Sequence, residues 1–442
     1  MKRITFLCLT ALVSLGMFAT PKYLVETGED GDATWSVSIA GATVVNLKTE
    51  DKTLGEWMNA TFASNGYETW IAAGTYVTSG ITVTFSSIKL YGGFAGTETA
   101  TSQRVLGSSG NPWDMANPTI IDANSSRLFG SSSNPQHTWD GLTFTNSVAG
   151  STNGGVARIV ANAVIRNCRF INNSSTNQGG ALQTFNATNI QISDCYFEGN
   201  SGGQGGAIYV NNAKDNTYAI NHCYFKDNDA TNAGGAVYFQ NDGTYTVNAC
   251  VFDHNNASNN APALFSNGTG TGAYTKITNC LFKNQQNSSK IPLYLLQGAV
   301  LNCTFASNAG GSIYIGNSGS EARCENNVVW GANDTECNIS IGSVEGYTMK
   351  NNALGKMITP SNVTTDGNVT ITKGDKSYFK SADTGDFHLT SGATEKMVGK
   401  GRDVSADGVT KDLDGLTRFV YDIGCYMYPS PAGCDNCFFV QP

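Results

Sequence analysis

The chain has 442 residues, a net charge of −8 and only 14% charged residues, against 40% apolar ones. So acidic a chain lacks the basic footprint that a nucleic-acid backbone demands, which weighs against nucleic acid as a partner, and it offers no polybasic anchor for anionic lipid. Regularly patterned apolar content at this level also separates it from a disordered Gly/Asn-rich chain.

Residues 1–19 read as a signal peptide: Lys2 and Arg3 precede the apolar run 4–18, and Ala19 stands at the cut. The protein is therefore expected to be secreted or held at the cell surface. No later segment offers the 18 or so apolar residues of a transmembrane helix. Residues 20–66 are expected to form an N-terminal cap. Within it, 53–66 carries Leu54, Trp57, Met58 and Phe62 on one helical face, suited to covering an open sheet edge.

Residues 67–350 repeat themselves. One phrase reads IRNCRFINN, ISDCYFEGN, INHCYFKDN, VNACVFDHN, ITNCLFKNQ and VLNCTFASN, with cysteines at 168, 195, 223, 250, 280 and 303. Leu142 and Asn327 stand near the cysteine position in degenerate copies at either end. A second phrase reads GGVARI, GGALQT, GGAIYV, GGAVYF and GGSIYI. Each coil holds three short apolar runs with strand period, such as Ile208/Val210, Tyr218/Ile220 and Cys223/Phe225, separated by Gly- or Asn-bearing bends. Three strands per coil of about 25 residues predict an all-β fold, a right-handed single-stranded parallel β-helix with a helical cap at the N-terminus and an irregular cap at the C-terminus. Stacking turns equivalent residues into ladders. Cys168, Cys195, Cys223, Cys250, Cys280 and Cys303 form one inner column and the phenylalanines two residues on form the next. Asn173, Asn200, Asn228, Asn255 and Asn308 form a turn ladder. Residues 351–428 are expected to be irregular rungs and a cap, and 429–442 a tail.

The ladder cysteines are expected to be buried and unpaired, because parallel side chains on adjacent rungs match disulfide geometry poorly. Cys324 with Cys337, and two of Cys425, Cys434 and Cys437, are possible bridges in an exported chain. No metal set is apparent in Cys434-x-x-Cys437. Tyr209, Tyr238, Phe265, Tyr294 and Tyr314 hold one position on successive coils. Since Ile208 and Val210 face inward, Tyr209 is expected to face solvent, giving an aromatic stripe able to stack on glycan rings or a protein. The same stripe serves equally as mutual cover that stiffens the sheet. Tyr196 and Tyr224 form a shorter second stripe.

Catalytic candidates are sparse. A basic residue beside acids would suit proton removal from a uronate polymer, with calcium neutralising the carboxylate. Arg158, Arg166, Arg169 and Lys226 with Asp194, Asp227 and Asp229 are the residues available. Against this, the column Ile171, Glu198, Lys226, Asp253, Lys283 and Ala306 alternates in sign as a solvated salt-bridge ladder does. His222 shares a bend column with Asn167, Asp194, Ala249, Asn279 and Asn302, as expected of a turn residue.

The phrases GGAL, GGAI and GGAV with FINN, FEGN, FKDN, FDHN and FASN resemble the repeats of chlamydial polymorphic outer-membrane proteins. WIAAGTY…LYGGFAGTE (70–98) is similar to the entry of secreted β-helix proteins of the pectate-lyase-like superfamily. DFHLTSGA…DLDGLTRFVYDIGCYMY (386–428) resembles the C-terminal segment of choice-of-anchor proteins, whose D-I-G-A-Y-E ending departs here at Cys425 and Met427. These resemblances imply a β-helix and export. The leading functional expectation is a surface adhesin binding a polysaccharide, a glycan or a host surface protein without a cofactor. The alternatives are a lyase or hydrolase of uronic-acid polymers, which alone would call for Ca2+, and a structural stalk.

Overall fold

The computed structural model describes residues 22–428 apart from 62–66, 84–86, 132–135, 212–216, 269–272, 288, 317–321, 343–344, 358–360 and 419–420. The expected leader, Phe62, Cys434, Cys437 and the tail lie outside the described residues.

The chain winds into a parallel β-helix. Sheets of 14 and 12 strands run along it and a third of 8 strands lines its central part, from Ala157–Ile159 to Ile339–Ile341, where each coil contributes one strand to each sheet. In one coil, Ile208–Asn211 lies in the third sheet, Thr217–Asn221 in the first and Tyr224–Lys226 in the second. Registers are in step from rung to rung: Ile220 pairs with Val247, Phe225 with Phe252 and Tyr209 with Tyr238. The first sheet reaches beyond the repeat on both sides. Lys22–Glu26 and Ala42–Asn46 already pair in parallel within the stretch expected as the N-terminal cap, and Thr364–Asp366 still pairs with Thr348–Lys350. The helix Leu54–Thr61 buries Leu54, Trp57 and Met58 in the main core.

The ladders hold the interior. Phe144, Phe170, Phe197, Phe225, Phe252, Phe282 and Phe305 stack with centroids 4.6–5.2 Å apart. Each buried ring contributes roughly 1.5–3 kcal/mol of apolar transfer. Beside them, the Asn173 Nδ2 donates to Asn200 Oδ1 at 3.0 Å, Asn200 to Asn228 at 2.9 Å and Asn228 to Asn255 at 3.0 Å. Gln285 and Asn308 continue this file, each accepting the backbone N–H of the rung before. The same amides donate to a phenylalanine backbone carbonyl on the preceding rung, so buried polar groups at the bend are satisfied.

Two further columns turn the chain. Asn167, Asp194, His222, Ala249, Asn279 and Asn302 all adopt φ between 50° and 55°, and so do Asn172, Asp227, His254, Asn284 and Ser307. This left-handed region suits Asn and Asp, whose short polar side chains bond locally. The glycine pair serves a different purpose. Gly205 has φ +64°, and a Cβ on Gly206 would stand 2.0 Å from the Gly235 carbonyl oxygen of the next coil. The first glycine makes the bend and the second lets consecutive coils close up.

The C-terminal segment is irregular and lies along the flank of the helix. Tyr378, Phe379, Phe387, Leu389, Met397, Leu413, Ile423 and Tyr426 share an apolar cluster with Tyr196, Tyr224, Val251, Leu281, Val328 and Trp330, which project from the outer face of the second sheet. Arg418 pins it, donating to Asn279 Oδ1 at 3.2 Å and to the carbonyls of Gly424 and Cys425. Arg323 bridges Asp407 at 2.6 Å, and Cys425 N–H donates to Thr304 Oγ1.

Candidate functional site

The alternation that places Ile208 and Val210 in the core turns Tyr209 outward, into a separate cluster with Ala233, Tyr238 and Phe265. The file runs Arg158, Gln183, Tyr209, Tyr238, Phe265, Tyr294, Tyr314 and Ser340 along the third sheet. The expectation of an exposed stripe needs correction at its first two rings. Tyr209 is 0% and Tyr238 5% exposed. They pack with Ala233, the last residue of the strand Asp229–Ala233. That strand and its partners Ser201–Gln204 and Asn256–Ala257 form a small extra sheet. Asn267 Nδ2 donates to the Tyr238 hydroxyl at 3.2 Å. Phe265, Tyr294 and Tyr314 are half-buried and remain stacked, with centroids 4.9 and 4.2 Å apart. Burial, and then the neighbouring Tyr314 hydroxyl, push the Tyr294 phenol up to about 12, so that ring is neutral at physiological pH.

The second stripe is also corrected. Tyr196 and Tyr224 are 3% and 2% exposed, because Trp113 stacks on Tyr196 at 5.7 Å and the C-terminal segment covers the sheet beyond. Tyr224 donates to Asp253 Oδ2 at 2.9 Å.

The basic and acidic candidates are not gathered into one cluster, although Lys226 meets Asp227. Arg158 lies in the third sheet, over the Phe185 ring at 4.6 Å. Arg169 and Lys226 lie in the second, where Arg169 sits 5.5 Å over Tyr196. Lys226 pairs with Glu198 at 2.9 Å and with Asp227, itself a left-handed turn residue, at 3.7 Å. Arg166 is tied to buried Asp140 at 2.8 Å, and Asp229 accepts from Asn256. The alternating column does form ion pairs, but only its first pair is solvated. Lys283 is 1% exposed against Asp253 at 3.4 Å, and its burial pulls the ammonium below its usual pKa against the pull of that carboxylate.

The nine described cysteines are all free and buried, so Cys324 and Cys337 are not bridged, and Cys425 packs against the helix flank. Burial pushes the Cys195, Cys223 and Cys280 thiols up, which keeps them protonated and poor nucleophiles. Among the described residues no group of His, Cys, Asp and Glu is placed to hold a metal ion, and no helix is long and apolar enough to cross a membrane.

Sequence reasoning passed over a cavity of about 340 Å³ at the seam between the coils and the C-terminal segment. His222, Asn248, Ala249 and Asn279 line it from the helix, and residues around Lys411 and Leu413 from the segment. The signal available was Ala249, the one apolar member of a column of Asn, Asp and His.

Comparison with known proteins agrees with the repeat geometry. Two stretches match the Chlamydia polymorphic membrane protein repeat. They are residues 167–184 and 194–211, each running from a left-handed bend through the cysteine, the phenylalanine and the glycine pair. No curated protein and no solved structure gives a significant match.

Proposed function

We propose that this chain is a surface-displayed, adhesin-like binding protein that holds a glycan or a host protein on the open end of its aromatic file, Phe265–Tyr294–Tyr314. The observation that carries this reading is the difference along the file. Its upper rings are sealed by other parts of the chain, whereas these three keep rung spacing and stay partly exposed. Stacked rings held at 4.2–4.9 Å offer a flat, preorganised apolar strip with hydroxyls at its edge, the chemistry that sugar faces and protein hot spots use. The repeat it carries is named for membrane proteins, which supports display at an outer surface. The scattered charged candidates supply no comparable argument for lyase chemistry.

The test is a double substitution, Tyr294→Ser with Tyr314→Ser. Serine already occupies this file at Ser340, one rung on from Tyr314. Binding of the wild-type protein to a glycan array and to host cells is expected to fall at least about tenfold, equivalent to about 1.4 kcal/mol, with the thermal melt little changed. Wild-type protein that binds neither, or a double variant that binds equally well, overturns the reading.

A further inference from the structure

From Asn167 to Asn351 the bend column between the first and second sheets is filled by polar residues on every rung but one. Asn167, Asp194, His222, Asn279, Asn302, Asn326 and Asn351 all take left-handed angles, as does Ala249 at φ 50°. For alanine this conformation costs about 1–2 kcal/mol, with no side-chain hydrogen bond to offset it. Strain of this kind, held in place by surrounding structure, collects at ligand sites. Ala249 lies on the wall of the 340 Å³ cavity. A longer side chain there, like those on the neighbouring rungs, would project into that space.

We infer that this cavity is a binding pocket for a single sugar residue, and that Ala249 is the small residue that keeps it open. It lies apart from the aromatic file on the third sheet and does not depend on it. Its volume is at the lower end for small-molecule sites. The lining supplies both sides of sugar recognition. His222 lines the pocket, its ring held in place by Asp194, whose Oδ1 sits 2.6 Å from His222 Nδ1. The Asn248 Oδ1 accepts from Thr278 Oγ1 and Asn279 Nδ2, so that amide offers its NH2 group as a donor. Lys411, exposed at the rim, adds an ammonium. The partly exposed Ala249 methyl gives an apolar surface for the C–H face of a ring. The acid in the lining is already engaged: Asp412 accepts from the Leu416 and Met427 N–H groups. The C-terminal segment forms the outer wall, so the pocket exists only when that segment is docked.

Saturation-transfer NMR with methyl glucoside, methyl galactoside and N-acetylglucosamine tests this, each at about 10 mM, well above a Kd near 1 mM. Wild-type protein is expected to bind at least one. Ala249→Asn is expected to raise the melting temperature, because asparagine suits the bend, and to abolish that binding. Ala249→Gly, which relieves the strain and keeps the space, is expected to bind as the wild type does. His222→Asn, a residue that other rungs of the column already carry, reads the same loss should Ala249→Asn fold poorly. Wild-type protein that binds none of the three sugars overturns the proposal, as does undiminished binding in folded Ala249→Asn or His222→Asn protein.

Discussion

Cysteine and asparagine share one inner column because both present an acceptor to the bend of the preceding coil. The Cys223 N–H points to Cys250 Sγ at 3.4 Å, and the Cys250 and Cys280 N–H groups to the sulfurs of Cys280 and Cys303 at the same distance. One rung further on, Asn327 Oδ1 takes the Cys303 N–H at 2.9 Å, and Asn352 and Asn368 continue the file. The thiol is thus more than the apolar filler that composition suggests. It is a weak acceptor whose size also suits the corner. Cys250→Ala leaves the buried Cys223 N–H without its sulfur and is expected to cost about 1–3 kcal/mol in urea unfolding. Cys250→Ser, which restores an oxygen acceptor, is expected to recover part of that. The column itself was legible from spacing alone. Its hydrogen-bonding role was not, since cysteine in a core is ordinarily read as a hydrophobe. The clue was Asn327, standing near the cysteine position in a degenerate copy.

At the scale of an element, the docked C-terminal segment depends on a charged clamp. His388 lies between Asp386 and Asp414, with Nε2 2.6 Å from the Asp414 carboxylate, and its ring stacks on Tyr426 at 4.0 Å. Burial opposes the imidazolium, but the bonds to the two carboxylates and their charge outweigh it and lift His388 to about 9. A folded pKa above the unfolded value near 6.5 means the stabilisation is complete below pH 6.5 and is lost as pH rises through 9. Asp386, where burial is outweighed by the bond and charge of His388, lies below the usual carboxylate range, and its contribution is lost only in acid. Stability to urea is therefore expected to fall between pH 7 and 10, by on the order of 2–3 kcal/mol, and His388→Gln is expected to flatten that dependence. A variant with the same slope as wild type would refute the clamp. The periodicity of the strands revealed which side chains leave the core, but it did not reveal what covers them. For the second sheet a hint was present: Tyr196, Tyr224, Val251 and Leu281 project outward in one apolar file, more than a solvated face carries. Apart from Trp113, the covering residues come from beyond 370, where no repeat links them to the coils they meet.

For the whole molecule, a solenoid is ordinarily a sum of units that each touch only their neighbours. The repeats made that architecture readable, from the glycine pair that sets coil spacing to the Phe and Asn files. The C-terminal segment breaks the nearest-neighbour rule. Asn302 Nδ2 donates to the Asp422 carbonyl, Asn326 exchanges hydrogen bonds with Arg402, and Arg418 reaches Asn279. These links tie rungs between Asn279 and Asn326 into one cooperative unit. Native-state hydrogen exchange is expected to show the amides of 302–330 opening together, and Arg418→Ala is expected to speed them at least tenfold as a group. Independent opening, rung by rung, would contradict this.

Arg418 and Asn279 lie 139 positions apart along the chain but within hydrogen-bond reach. A tug applied at the C-terminal end therefore meets several coils side by side and loads their bonds in shear. The end cannot unwind like thread from a spool, and a molecule gripping something at an outer surface would keep its shape until that whole flank gave way at once.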